Sequence, residues 1–384
     1  MLQPDEIKFI QEHVQQEASR LALSAKKYPN LDIKKLAGQI QARQKLAAKM
    51  PRWTSNKEVF FPQKISLEQA SSEATARFKA ELVKGKLIDI TGGMGVDAWA
   101  FAQTCEEVTY VEQQEELAQQ AQYNHSILGL KNVTHKIGNG LAQLNSSYDW
   151  IYVDPARRDE QGNKVILFKD CQPNVLDILT YTENSHILIK TSPVLDIQRA
   201  IQELGGVEKV YVIAYQNEVK ELLFIKTNQS SLDPLIDVIE LAFSSPSIFS
   251  GTLSAEKQAM MHLNKVGKYV YEAHPAILKA GFFKLLQRDN LWQLGQHTHL
   301  YSSNELLSNF PGRRFECINS GSVQRAWLLP HLVDLRINIS TKNFPLKPDA
   351  LRKKLKLKDG GELTLFAILN KEEKNELLLC KKCT

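Results

Sequence analysis

The sequence predicts an α/β chain: a mostly parallel sheet with crossover helices and an antiparallel last strand, preceded by a helical domain and followed by small α+β regions. Three observations predict it. From Leu87 to Tyr215, apolar strand-like runs alternate with helical segments, the pattern of parallel strands joined by crossovers. Residues 209–226, KVYVIAYQNEVKELLFIK, hold two strand-like runs joined by Gln216-Asn217-Glu218, so the last strand reverses direction. Residues 4–50 carry apolar side chains at helical spacing until MPRW, Met50 to Trp53, interrupts them with a proline.

The elements follow in order. Residues 1–65 form the helical domain. SLEQASSEATARFKAELVK, residues 66–84, reads as a capped helix leading into the first strand, and it opens a sheet domain over 66–228. The strands drawn there are Leu87 to Ile90, Val108 to Val111, Val133 to Ile137, Trp150 to Val153, His186 to Ile189 and Lys209 to Tyr215. Residues 228–268 hold Ser- and Pro-containing connections such as FSSPSIFSGTLS, which place a domain boundary. A linker and a small α+β region span 229–318. A basic module over 319–384 carries the helix PDALRKKLKL between strand-like segments.

Composition bounds the class. At 384 residues and 43% hydrophobic content, the chain has enough mass for two or three buried cores. No apolar run approaches the ~18 residues of a membrane span, and MLQPDEIKFI lacks the regions of a signal peptide. A cytoplasmic protein with no membrane partner is the expectation. The five cysteines are scattered, which suits a reducing compartment. Cys380-Lys-Lys-Cys383 has no second pair beside it, so a tail with free thiols and no metal is expected.

Charge is divided by region. Residues 1–60 hold 11 Lys and Arg against 6 Asp and Glu, and residues 319–384 hold 13 against 7, while the whole chain is at +5. Two basic ends around an acidic centre suit a grip on a polyanion around a site for something cationic. Solvated lysine-rich helix faces would give the same count.

DITGGMGVDAWA, residues 89–100, follows the first strand with three glycines in four positions. Gly93-Met94-Gly95-Val-Asp-Ala98 satisfies G-x-G-x-x-G/A, and Glu112 follows where a ribose-binding acid belongs. A dinucleotide site would share these features. Asp89 and Asp97, however, flank the place a pyrophosphate would occupy, and helix N-termini hold phosphate best without competing anions. S-adenosylmethionine (SAM) has a cationic amino group and sulfonium, which carboxylates stabilise. Glu112, with Gln113 beside it, would take the ribose hydroxyls, and Gly138-Asn139 after the third strand would lie along the adenine.

These residues resemble the class I SAM-dependent methyltransferases. In the usual first motif a glycine stands where Thr91 does, with Gly92, Gly93, Met94 and Gly95 following. The form here is similar to variants in some RNA methyltransferases. The resemblance implies a Rossmann-like sheet whose antiparallel last strand sets it apart from a dinucleotide-binding domain, and SAM as cofactor, held by Asp89, Thr91, Gly92, Gly93, Met94, Gly95, Asp97, Glu112, Gln113, Gly138 and Asn139.

DWIYVDPARR, residues 149–158, ends the fourth strand, where ligands bind in an open α/β sheet. Asp154-Pro155 resembles the Asp/Asn-Pro-Pro-aromatic motif of amino-directed methyltransferases, in which the acid or amide and a backbone carbonyl hold an exocyclic amine. Ala156 and Arg157 depart from that motif. Arg157 and Arg158 are expected to stack on a base or grip a phosphate; pairing with surface carboxylates is the plainer role. Asp154 is expected to position the acceptor and take a proton. Lys190-Thr191-Ser192-Pro193 ends the fifth strand and either lines the acceptor pocket or starts a helix. A ribose 2′-hydroxyl acceptor, should Asp154, Lys190 and Glu221 converge, ranks below a base nitrogen.

NISTKNFPLKPDALRKKLKLKDGGELTLFAIL, residues 338–369, resembles the THUMP-like domain that closes a family of bacterial class I methyltransferases. YEAHPAILKAGFFKLL, residues 271–286, is similar to that family's ferredoxin-like connecting domain. THUMP domains bind RNA, so the resemblance implies a structured RNA, tRNA or rRNA, as substrate. Arg352, Lys353, Lys354, Lys356 and Lys358 independently form a stripe that attracts phosphates. The expected function is SAM-dependent methylation of an RNA base nitrogen. Other readings are a protein or small-molecule acceptor, an RNA-binding protein without turnover, and a NAD-dependent oxidoreductase. Oligomeric state is not written in the sequence.

Overall fold

The computed structural model describes residues 2–62, 70–156, 167–181, 183 and 185–383. The chain divides into two compact units, Met1–Val210 with Leu222–Leu232, and Tyr211–Glu221 with Asp233–Thr384.

The first unit begins with helices α1 (Pro4–His13), α2 (Ala18–Ala22), α3 (Ile33–Leu46) and α4 (Pro51–Ser55). Asp32 caps α3 by accepting from the Lys35 amide at 3.0 Å. Ile33, Leu36, Ala37 and Ile40 then line one face at helical spacing and close a core with Phe9, Ile10 and Leu21. Burying Leu36 and Ile40 fully contributes about 2 kcal/mol each, and a charge at Leu36 would open this core. Pro51 does not end the helical pattern; it sits at the first turn of α4, where a missing N–H costs nothing. The segment after α4 is held from two sides. The Gln39 amide pairs both ways with the Phe61 backbone, and Asn124 does the same with Phe60.

Helix α5 (Glu73–Glu81) leads into β1 (Lys86–Asp89), α6 (Val96–Phe101), β2 (Glu107–Glu112), α7 (Glu115–Ile127), β3 (Val133–Ile137), β4 (Trp150–Val153), β5 (His186–Thr191), α8 (Ile197–Glu203), β6 (Lys209–Tyr215) and β7 (Glu218–Lys226). Strand order is β3-β2-β1-β4-β5-β7. The first four pairings are parallel, whereas β7 runs antiparallel to β5, with Leu188 opposite Ile225. Gln216 and Asn217 between β6 and β7 both take positive φ, 53° and 64°, the geometry of a tight hairpin turn. Strand β5 is nearly all buried, as helices on both faces of a parallel sheet require.

In the second unit the hairpin tip, 211–221, is accompanied by β8 (Leu235–Glu240), β9 (Ser247–Gly251) and α9 (Leu253–Gln258). The stretch expected to be connections therefore contains an antiparallel strand pair. Its period-2 signal is short: Ile236, Val238 and Ile239 are buried while FSSP makes only the turn.

A seven-stranded sheet follows. It contains β10 (Tyr269–Ala273), β11 (Trp292–Gln293), β12 (Leu300–Ser303), β13 (Gly312–Gly321), β14 (Asn338–Lys342), β15 (Leu363–Leu369) and β16 (Asn375–Lys382), in the order β11-β12-β10-β13-β16-β15-β14. Helix α10 (Pro275–Ala280) follows β10, and α11 (Pro348–Leu355) links the parallel strands β14 and β15. The boundary expected at 318/319 falls within β13, which pairs with both β10 and β16 and so makes these strands one sheet. Cys380 is not in a loose tail either: it is buried in β16, opposite Cys317.

Candidate active site

Asp89 ends β1 and the chain turns sharply through Gly92, Gly93 and Gly95 into α6. A Cβ on Gly92 would lie 2.2 Å from the Tyr110 ring. Gly95 takes φ 84°, and its Cβ would lie 2.5 Å from His125. Only glycine fits either place. The Gly93 amide donates to Glu112 Oε2 at 2.8 Å, and the Tyr110 hydroxyl donates to the Gly93 carbonyl at 2.6 Å. The Gly138 amide donates to the Glu112 carbonyl at 2.9 Å, and Asn139 Oδ1 accepts from Leu141. Asp89 to Gly95, Glu112, Gly138 and Asn139 thus gather at the C-terminal ends of β1, β2 and β3. Gln113 is exposed beside Glu112.

Asp89 is buried. Its Oδ1 accepts from the amide and hydroxyl of Thr91 at 3.0 and 3.4 Å, while Oδ2 has no hydrogen-bond partner. Burial raises its pKa well above the usual carboxylate range; the Thr91 amide opposes this and the charges of Asp97, Asp154 and Glu112 add to it. A buried, unpartnered carboxylate oxygen beside a glycine turn fits a cationic group, which would supply the missing partner. The donor set therefore suits the amino group of SAM better than a phosphate.

Asp97 has different company. It accepts from Ser71 Oγ and from the Tyr152 hydroxyl, both at 2.8 Å. Lys79 Nζ lies 3.1 Å from its other oxygen, close enough for an ion pair though not aligned as a hydrogen bond. Burial opposes ionisation of Asp97, but Lys79, Lys190, Tyr152 and Ser71 outweigh it and lower the pKa. The cluster ties α5, the start of α6 and β4 together two residues before Asp154.

Thr91 joins the loop to the end of β4, because its hydroxyl accepts from the Asp154 amide at 2.8 Å. The residue that departs from the usual motif is the link between the two motifs. The Asp154 carboxylate is paired with Lys190 through Oδ2. Pro155 is buried, and Ala156 exchanges backbone hydrogen bonds with Gln172 at 2.8 and 3.0 Å. Arg157 and Arg158 lie outside the described residues.

Sequence reading missed the roles of Lys79 and Tyr152. The signal for Lys79 was present: in ATARFKAE it occupies the face shared by Thr75, Ala76 and Ala80, all buried. A lysine on an apolar face implies a partner inside. Among the helix-start polar residues, Ser72 caps α5 and Ser71 reaches Asp97, whereas Gln69 lies outside the described residues. In α11, Arg352 is bonded to Asp349 and Asp359, while Lys353 and Lys354 are exposed. Among the described residues no cluster of three or more His, Cys, Asp or Glu is arranged to hold a metal, and no helix is long and apolar enough to cross a membrane.

Comparison with known proteins agrees with this layout. A ferredoxin-like domain family matches residues 269–311, and a THUMP domain-like family matches residues 312–382. Comparison of the sequence with curated proteins returns no match. Among solved structures, one from Porphyromonas gingivalis W83, named as a candidate methyltransferase, is 31% identical with a TM-score of 0.86, covering 99% of this chain and 98% of its own. A candidate class I SAM-dependent methyltransferase from Listeria monocytogenes is 9% identical with a TM-score of 0.39, covering 63% of this chain and 94% of its own. A candidate RNA methyltransferase from Pyrococcus horikoshii is 17% identical with a TM-score of 0.34, covering 48% and 98%. The full-length likeness to the Porphyromonas protein, on a sheet with an antiparallel last strand and with both C-terminal domains matched, shows that this chain belongs to the family of bacterial class I SAM-dependent methyltransferases that carry a C-terminal THUMP-like domain.

Proposed function

We propose that this chain methylates a structured RNA, tRNA or rRNA, at a base nitrogen, with SAM as methyl donor. One observation carries the reading. Thr91 fastens the Asp89 carboxylate, which lacks a partner on one oxygen, to Asp154 at the end of the neighbouring strand. A cation-binding site and an acceptor-binding site are thereby held a fixed distance apart, and much of the acceleration of a displacement can come from such alignment. SAM supplies an electrophilic methyl group. Asp89, the Gly92–Gly95 turn, Glu112, Gly138 and Asn139 hold it. Asp154 accepts a hydrogen bond from the acceptor nitrogen and takes its proton.

The RNA part rests on the THUMP domain-like match and on the exposed Lys353, Lys354, Lys356 and Lys358. A paired target base would have to leave its stack, at a cost of a few kcal/mol, and contacts to the RNA backbone offset that cost.

A ribose hydroxyl is the second reading, and the Asp154–Lys190 pair is the observation that supports it. A hydroxyl both receives from an ammonium and donates to a carboxylate, whereas an exocyclic amine uses only the carboxylate. Labelled methyl from SAM, incubated with small RNA from cells lacking the protein, tests both readings. RNase-sensitive label, lost with Asp154→Ala, supports RNA, and digestion to nucleosides separates base from ribose. No label in RNA, with SAM binding shown separately, would sink the RNA reading in favour of a protein or metabolite.

A further inference from the structure

The second unit contains a cleft of about 450 Å³ lined by Met261, Leu263 and Trp292 with His262, Asn264, Arg288 and Asp289. We propose that it binds a nucleotide of a single-stranded RNA segment, stacking the base on its apolar side chains and holding the neighbouring phosphate with Arg288. The inference deepens the RNA reading and rests on it.

The cleft is built rather than accidental. Residues 262–264 run beside β11: the Gln293 amide donates to His262 O at 2.9 Å, the Asn264 amide to Gln293 O at 3.2 Å, and the His262 amide to Gln287 Oε1 at 2.6 Å. The Trp292 indole N–H is spent on the Lys265 carbonyl at 2.8 Å. The ring is left to interact through its π-system, which suits a base that must be stacked and not read. Met260, Met261 and Leu263 are 76%, 37% and 37% exposed in succession, and a concentrated apolar surface of this kind marks a binding site.

Most of the polar rim has no partner of its own. Asn264 Oδ1 accepts from the Lys265 amide at 2.9 Å and from Lys371 at 3.4 Å, whereas among the described residues the side chains of His262, Arg288 and Asp289 form no hydrogen bond or ion pair. An unpaired guanidinium lining the same cleft as an indole ring offers both a phosphate grip and a stacking plane. The stretch of chain that carries the cleft has the complementary sign overall, since residues 261–384 hold 20 Lys and Arg against 11 Asp and Glu. That excess favours a polyanion over a neutral or basic peptide as the occupant. The volume suits one nucleotide.

The test is fluorescence anisotropy of the full chain with labelled RNA octamers of A and of U, without SAM. Arg288→Glu and Met261→Gln, both at exposed positions, should weaken octamer binding about tenfold and severalfold, and Trp292→Leu about tenfold or more. Free AMP should compete only at far higher concentration than the octamer. Octamer affinity unchanged in folded Arg288→Glu and Met261→Gln would overturn the proposal and leave the apolar edge to a protein partner, and AMP competing as well as the octamer would replace the RNA segment with a free nucleotide. Because no methyl transfer is measured, octamer binding that depends on Arg288 in an enzyme that labels no RNA would refute the methylation reading and leave this one standing.

Discussion

The Lys190 ammonium is paired with the Asp154 carboxylate, joining the ends of β5 and β4 where the acceptor is expected. The lysine side chain is 12% exposed and the aspartate 33%, so the pair lies at the edge of solvent. Removing either partner should damage turnover more than cofactor binding. Asp154→Ala is expected to lower kcat by about 100-fold or more and to leave SAM affinity within about threefold. Lys190→Met should lower kcat strongly for a hydroxyl acceptor and only a few-fold for a nitrogen acceptor. Titration with SAM and kinetics on the labelled RNA give both quantities, and a matching loss of SAM affinity in both variants would contradict the division of labour.

Asp89 trades stability for binding. Its folded-state pKa is raised, chiefly by burial, so the native state keeps its proton to a higher pH than the unfolded chain does. Stability then falls as pH rises above the ordinary carboxylate range. Asp89→Asn keeps the neutral form at every pH and should stabilise the protein without SAM by about 1 kcal/mol. The same change removes the anion that meets the ligand's amino group, and SAM affinity should drop at least tenfold. In the wild type, SAM affinity should rise with pH as Asp89 loses its proton. Calorimetry across pH, with and without the substitution, checks both directions.

His125 makes the glycine turn sensitive to acid. Its Nε2 lies 2.8 Å from the Gly95 carbonyl and its Nδ1 2.8 Å from His135, which satisfies a neutral ring. Burial lowers its pKa from 6.5 to about 4, and His135 is lowered as well. A histidine depressed in this way binds its proton in the unfolded state first, so its contribution is complete above pH ~6.5 and lost as pH falls towards 4. The loss from His125 amounts to about 3 kcal/mol. Urea midpoints should fall over that window in the wild type and fall less in His125→Gln.

Lys79 and Asp97 should stand or fall together. Lys79 is fully buried and faces Asp97 and the Ser71 hydroxyl. Lys79→Met leaves a buried carboxylate without its counter-ion and should cost about 3–5 kcal/mol. Adding Asp97→Asn removes the stranded charge and should return most of that loss. A double-mutant cycle in urea measures the coupling, and additive losses would show that the pair is not coupled.

How much of this could be read from the sequence depends on whether the signal was local. Gly92 and Gly95 announce themselves because a close approach leaves no room for a side chain. Asp89 and Glu112 follow from strand ends, and the β6–β7 reversal from the short polar turn Gln216-Asn217-Glu218. What was hidden depends on residues distant in sequence. The Thr91 link to Asp154 spans 63 positions, and nothing in either motif names the other. The commitment of Asp97 to Lys79, Ser71 and Tyr152 is hidden for the same reason, since an acid beside a glycine loop looks as if it should face the ligand. Strands β8 and β9 were obscured by the serines and the proline of their own turn.

The basic stripe on α11 separates into two kinds of residue. Arg352 is 19% exposed and holds Asp349 and Asp359, so it stabilises the end of the helix and is already neutralised. Lys353 and Lys354 are exposed on the same turn. If they grip phosphate, each should contribute to counterion release when RNA binds. Lys353→Ala and Lys354→Ala should each weaken binding across unrelated sequences and lower the slope of log K against log salt by about 0.7 to 0.9. Arg352→Ala should leave that slope nearly unchanged and lower the thermal midpoint instead. Binding isotherms at several salt concentrations distinguish the cases: a slope that moves with Arg352 but not with the lysines would mean that RNA displaces the two aspartates and takes the arginine for itself.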